Sequence, residues 1–217
     1  MITTVIFDMD GVLINSEPVH RRHAREMFAE LGLVLTPEIQ QTLVGRSALD
    51  TWKYVIDTYN LDETPEELLI KSRGKYLKVL IDSDEVQMVD GAQSLIDRLE
   101  NNGYHLLLAS SATSVTITEV LRKWGLKDTF PLFIGGDMVH SSKPNPEIFL
   151  QIAELAHVQP GECVVIEDAD HGVTAANKAG MKSIGFRNKL SGTQSLTHAD
   201  AVVDNLDEIT IDLLKKL

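Results

Sequence analysis

The 217-residue sequence predicts an α/β protein: a parallel sheet with helices on both faces, interrupted directly after its first strand by a helical insert. Three observations carry this. From about residue 90 onward, short apolar runs alternate with amphipathic helical stretches, the pattern of strand–helix–strand units. The run Thr4-Val5-Ile6-Phe7, rich in β-branched and aromatic residues, places one further buried strand at the N-terminus. Between them, residues 16–87 show helical periodicity only.

After the first strand, Ser16-Glu17-Pro18 opens a helix with Val19, His23, Met27 and Leu31 on one stripe, stopped by Gly32. A short helix follows Thr36-Pro37, and a third carries Trp52, Val55, Ile56 and Tyr59 at i, i+3, i+4 and i+7. Thr64-Pro65-Glu66-Glu67 fits a capping box with proline at the first helical position, opening a fourth helix through Leu69, Tyr76 and Leu80. Asp90-Gly91-Ala92-Gln93 caps a helix containing Leu95, Ile96 and Leu99, ended by Asn102-Gly103. Strands are then expected over 105–109, 132–134, 163–166 and 183–186, with a last short one at 201–203. The helices between and after them are expected near Ile117–Trp124 and over 146–156, 172–179 and 207–217. This divides the chain into a core of residues 1–15 and 88–217 and an inserted lid of residues 16–87.

A length of 217 residues with 43% hydrophobic content suffices for one sizeable core and a small second unit. The formal net charge of −12, without a basic block, argues against nucleic acid or an anionic membrane as partner. The one cysteine, Cys163, sits in an apolar run and reads as a small core residue. The N-terminus has no basic segment of a signal peptide, and no apolar stretch approaches the ~20 residues that span a bilayer, so a cytoplasmic monomer is expected.

Four features fall at the C-terminal ends of expected strands, where open α/β sheets bind ligands. Asp8 and Asp10 stand one residue apart at the tip of the first strand, and strand alternation puts both on one face. Two carboxylates that close repel each other, so either a cation sits between them or one holds a proton. Ser110 follows the run Leu106-Leu107-Leu108-Ala109 and precedes a helix opening near Thr113, where the backbone N–H groups of Ser111 and Ala112 face a natural anion site. Lys143-Pro144 lies in a loop before a helix start at Asn145-Pro146, and Glu167-Asp168 closes the strand 163–166. Each has an ordinary reading: a turn, a helix approach, a solvated lysine, an acid favouring a helix N-terminus. Together they offer four carboxylates for a hard cation, and a hydroxyl, an ammonium and backbone donors for an anion. A divalent cation beside a phosphate is the simplest occupant.

In this order, DxDGV at residues 8–12, an apolar run ending in Ser110, Lys143-Pro144 and an apolar run ending in Glu167-Asp168, the chain resembles the haloacid dehalogenase superfamily of aspartate-dependent phosphotransferases over essentially its whole length. Residues 8–18, DMDGVLINSEP, and the helical insert after them are similar to its β-phosphoglucomutase-like and sugar-phosphate phosphatase branch. The resemblance implies a Rossmann-like core with a helical, C1-type cap. It implies Asp8 as nucleophile and Asp10 as general acid and base. Mg²⁺ would be held by Asp8, the Asp10 backbone carbonyl and Asp168, with Glu167 close by, and Ser110, Ser111 and Lys143 would hold phosphate oxygens.

In the relatives the lid selects the substrate. Here His20, the loop Gly45-Arg46-Ser47 and the cluster Lys71, Arg73 and Lys75 are the candidates. Arg46 could grip a second phosphate or sugar hydroxyls, or be a surface arginine; for the cluster a solvated helix face is favoured. Mutases of this branch carry a lid arginine where this chain has Ala48, and a lid lysine near Ser72. The expected function is therefore Mg²⁺-dependent hydrolysis of a small phosphomonoester, a sugar phosphate or similar metabolite. A β-phosphoglucomutase-type isomerase is the alternative, and a non-catalytic phosphoacceptor module a more remote one. Dehalogenation itself is not expected, since those relatives lack the second acid.

Overall fold

The computed structural model describes residues 1–43, 46–192 and 194–217. Their backbone divides into two compact units, Met1–Glu17 with Gln87–Leu217, and Pro18–Val86.

The smaller unit is built from α1 (Glu17–Glu30), α2 (Pro37–Leu43), α3 (Ala48–Tyr59) and α4 (Pro65–Asp82). Local chemistry sets their ends. Ser47 accepts from the Asp50 N–H to start α3, and Asn60 in the left-handed region closes it. Thr64 and Glu67 form the reciprocal capping box ahead of α4, with Pro65 in its first turn. Met27, Phe28, Trp52, Val55 and Leu68 pack into an apolar cluster, with Phe28 and Trp52 ring centroids 6.2 Å apart.

The larger unit is a six-stranded parallel sheet of β1 (Thr4–Phe7), β2 (His105–Ser110), β3 (Phe133–Gly135), β4 (Cys163–Glu167), β5 (Lys182–Phe186) and β6 (Ala201–Val203), as the alternating pattern predicts. The order is β3-β2-β1-β4-β5-β6, so the winding reverses at β1. Its helices are α5 (Ala92–Asn101), α6 (Ser114–Lys123), α7 (Glu147–Leu155), α8 (Asp170–Lys178) and a single turn, α9 (Ile211–Leu214). Ile6, Leu107, Ala109 and Val165 share one face of the sheet and are covered by Ile148, Phe149 and Ile152 of α7 and Ala175 and Ala176 of α8. Alternation turns Phe7 to the other face, where its ring meets Phe130 edge-on at 5.4 Å.

Some local expectations change. The helix expected over 207–217 is broken into a 3₁₀ turn, Leu206–Glu208, and α9. Two separate caps cause this: Asn205 accepts from Asp207 N and Thr210 from Leu213 N, each starting its own turn. The start of α5 uses no side-chain cap; Gly91, at φ +84°, makes the bend itself. Cys163 is a buried core residue of β4. No helix among the described residues is long and apolar enough to cross a membrane.

Candidate active site

The register of the sheet brings the expected residues to one rim. Phe7 of β1 lies level with Leu108 of β2 and with Ile166 of β4. The next residue of each, Asp8, Ala109 and Glu167, therefore emerges side by side at the point where the winding reverses. Asp8 stays tied to the sheet, its N–H donating to the Ile166 carbonyl at 3.0 Å.

Asp8 and Asp10 do not share a strand face, contrary to the sequence expectation. The strand ends at Phe7, and the chain turns at Met9, whose carbonyl accepts from Leu13 N at 2.9 Å and Ile14 N at 3.1 Å. Gly11 adopts φ +78°, and a Cβ there would run into the Asp168 carboxylate. Glycine alone lets that acid approach so closely. The Asp10 carboxylate, half-buried, accepts from the Ser16 hydroxyl.

Lys143 reaches in from the loop between β3 and α7. Its ammonium lies 2.6 Å from Asp8 Oδ1, 2.7 Å from Glu167 Oε1 and 3.1 Å from the Ala109 carbonyl, with its side chain 7% exposed. Asp8, Glu167 and Asp168 offer carboxylate oxygens within 4.8 Å of one another, all three residues buried. One ammonium against three clustered acids leaves excess negative charge. Burial, then Glu167, Asp168 and Asp10, hold the Asp8 carboxyl well above the usual range, and Lys143 offsets only part of it. Burial, Glu167 and Asp10 likewise push Asp168 up to about 7, against a hydrogen bond from Ser191. Burial disfavours the Lys143 charge, but Asp8 and Glu167 outweigh it and the ammonium is held above its ordinary range. Unrelieved repulsion among buried oxygen ligands is what a hard divalent cation removes, so the donor set fits one.

Ser110 ends β2, 1% exposed, and its Oγ accepts from the Ala112 N–H at 3.1 Å. Ser111 follows it, exposed, ahead of the Thr113 cap of α6. The lid candidates belong to the other unit. His20 is exposed on α1, its ring edge-on to Tyr76 at 5.4 Å. Arg46 donates to the Thr42 carbonyl, stacks over Tyr54 at 4.3 Å and lines a surface cavity of about 420 Å³ with Ser47, Asp50 and Lys53. Gly45 lies outside the described residues. Lys71 and Lys75 both pair with Glu30 at the surface.

Several residues around the site carried no sequence signal. The Asn188 amide donates to the Gly11 carbonyl at 2.8 Å and to Asn15 Oδ1 at 2.9 Å, pinning the turn after Asp10 to the loop beyond β5. Ser16 and Ser191 hold Asp10 and Asp168, six and 23 residues away in sequence. Gly172 has no Cβ because one would occupy the position of the Glu167 carboxylate. Ser16 lies inside the motif of residues 8–18 with nothing local to mark its role, and Asn188 and Ser191 lie in a loop with no pattern of its own.

The chain is similar to known proteins over most of its length. A family model described as haloacid dehalogenase-like hydrolase matches residues 5–186. The chain is 32% identical over 187 residues to the fructose-1-phosphate phosphatase YqaB of Escherichia coli (strain K12), covering 84% of this chain and 95% of that one. It is 29% identical over 214 residues to a phosphorylated carbohydrates phosphatase of Thermotoga maritima, covering 98% of each. Among solved structures, the β-phosphoglucomutase of Clostridium difficile superposes with a TM-score of 0.83 at 27% identity, over 100% of this chain and 96% of that one.

Proposed function

The chain belongs to the haloacid dehalogenase-like hydrolase family, and from that premise we propose that it hydrolyses a small phosphomonoester, a sugar phosphate or similar metabolite, through a phosphoryl group carried on Asp8. The single observation that carries the reading is the Lys143 ammonium held between Asp8 and Glu167, with Asp168 beside them, at the rim where the winding reverses.

A free Asp8 oxygen attacks phosphorus, a P–O bond forms to the carboxylate, and the bond to the leaving oxygen breaks. Asp10, hydrogen-bonded to Ser16, gives that oxygen its proton. Asp10 then takes a proton from water as it attacks phosphorus, and inorganic phosphate leaves with Asp8 restored. Ser110, the Ser111 N–H and Lys143 hold the non-reacting oxygens, which a carboxylate attacking a phosphate dianion requires. Asp8, Asp168 and the Asp10 backbone carbonyl would hold Mg²⁺ with Glu167 alongside, and the bound ion supplies positive charge that offsets the repulsion between the two anions.

The unit of helices is read as a cap inserted in a core of residues 1–15 and 88–217, and His20, Gly45 and Arg46 are its candidates for selecting the substrate. Hydrolysis is favoured over isomerisation by two residues of that unit. Ala48, where mutases of this branch carry an arginine, begins α3. Ser72, near their lysine position, is hydrogen-bonded to His23 at 3.0 Å. The test is a Mg²⁺-supplemented panel of phosphorylated metabolites, scoring phosphate release and isomer formation together. Release that stops without Mg²⁺ and in Asp8→Asn supports hydrolysis. Conversion of a sugar 1-phosphate to the 6-phosphate with little free phosphate would make it a mutase. A phosphoprotein stable for minutes after acetyl phosphate would make it a phosphoacceptor.

A further inference from the structure

Lys143 poses a positioning problem that its own side chain does not solve. Its ammonium must sit between two carboxylates on bonds of 2.6 and 2.7 Å, yet it hangs on a flexible four-carbon stem from a loop. That loop runs at the surface; His140, three residues before Lys143, has a side chain 95% exposed. The backbone of residues 140–142 joins no strand or helix ladder, so its hydrogen bonds must be found elsewhere. They converge on one carboxylate. Glu147 Oε1 accepts from His140 N at 2.8 Å, and Oε2 from Ser141 N at 2.9 Å. His140 Nδ1 lies 3.0 Å from the same Oε1, and Gln151, one turn on in α7, donates to it at 3.1 Å. Asn145 closes the segment on the other side of Lys143, its N–H donating to the Ser142 carbonyl and its Oδ1 accepting from Glu147 N, both at 3.0 Å. Lys178 of α8 donates to the Pro144 carbonyl at 3.2 Å.

We infer that Glu147 is the positioning residue of Lys143: its carboxylate grips the two N–H groups on the loop's approach and anchors them to the first turn of α7, whose Phe149 ring lies 5.0 Å from the ammonium. The arrangement is a buckle. One end is the rigid helix packed on the sheet, the other the chain three residues before the lysine, and Lys143 is carried between them. The hydrogen bonds given for Glu147 go to its own loop and helix, so its effect on Asp8 passes through the lysine. The inference rests on the reading of Lys143 as the partner of Asp8 and of the transferred group.

The alternative is that Glu147 merely favours the start of α7, as an acid in a first turn does. A double-mutant cycle separates the two. Turnover of p-nitrophenyl phosphate with Mg²⁺ is measured for Glu147→Ala, Glu147→Gln, Lys143→Ala and the double variant, with melting curves for each. Glu147→Ala should lose roughly tenfold in kcat/KM, the size expected when a catalytic group is displaced by under an ångström. Glu147→Gln, which keeps one acceptor oxygen, should recover part of that. In the Lys143→Ala background, removing Glu147 should cost under about twofold, and the affinity for inorganic phosphate should fall alike in both single variants without falling further in the double. Losses that multiply in full overturn the inference, as does Glu147→Ala turning over within about twofold of wild type while Lys143→Ala is inactive. If Lys143→Ala itself keeps full turnover, the reading of Lys143 fails and the inference goes with it.

Discussion

Replacing Asp168 with asparagine should stabilise the metal-free protein while removing its activity. The residue is 8% exposed, and burial with Glu167 and Asp10 raises its carboxyl from 3.8 to about 7. Below about pH 4 the folded and unfolded chains both hold the proton, and the group leaves stability unchanged. Between there and pH 7 the unfolded chain releases its proton while the folded chain keeps it. Stability then falls by about 1.4 kcal/mol for each pH unit, and the loss levels off once both forms are ionised. From pH 5 to pH 7 this amounts to about 2 kcal/mol, since the folded group is itself half ionised by pH 7, or roughly 4–8 °C in Tm for a chain of this size. Asparagine does not titrate and its carbonyl still accepts from Ser191. In EDTA, circular-dichroism melts at pH 5, 6, 7 and 8 should therefore show the wild type losing that margin against Asp168→Asn. Saturating Mg²⁺ should reverse the ranking, because the wild type regains a charge partner and the variant has lost a ligand. Parallel pH profiles for the two proteins in EDTA would refute the electrostatic reasoning.

Three further perturbations test the frame around the site. Asn188→Ala removes the donor to the Gly11 carbonyl and to Asn15, so it should cost about 1–3 kcal/mol in a denaturant melt and slow turnover through the Asp10 turn. Gly172→Ala puts a methyl group where the Glu167 carboxylate lies; about 1–3 kcal/mol of stability should go, with a rightward shift in the Mg²⁺ activation curve. Thr64→Ala breaks the capping box of α4, costing about 1 kcal/mol with kcat unchanged, which thermal unfolding and turnover of one sample would show.

Elements with strong local causes were legible in the sequence. The capping box at Thr64 and Glu67, the Thr113 cap of α6 and the apolar runs of β1, β2 and β4 are complete within a few residues, and each forms where its pattern lies. Legibility failed where a weak local preference met a competing cap, as at Asn205 and Thr210, or where a strand ended earlier than its side-chain alternation suggested, as at Phe7. Within the site, Asp8, Lys143, Glu167 and Asp168 stood out because their residue types are costly to bury and fall at strand ends. Asn188, Ser16, Ser191 and Glu147 did not, because a polar side chain that bonds a backbone or carboxylate in another loop or turn leaves no mark on its own segment.

Composition and order along the chain were enough to establish an alternating α/β core with a helical insert and to name the charged groups gathered at its rim. They did so because hydrophobic period and charge burial are properties of short segments. Which carboxylate meets which ammonium, and what holds the loop of Lys143 in place, was decided only in three dimensions. Those contacts depend on β1 lying between β2 and β4 and on hydrogen-bond distances of 2.6 to 3.1 Å between residues up to 135 positions apart.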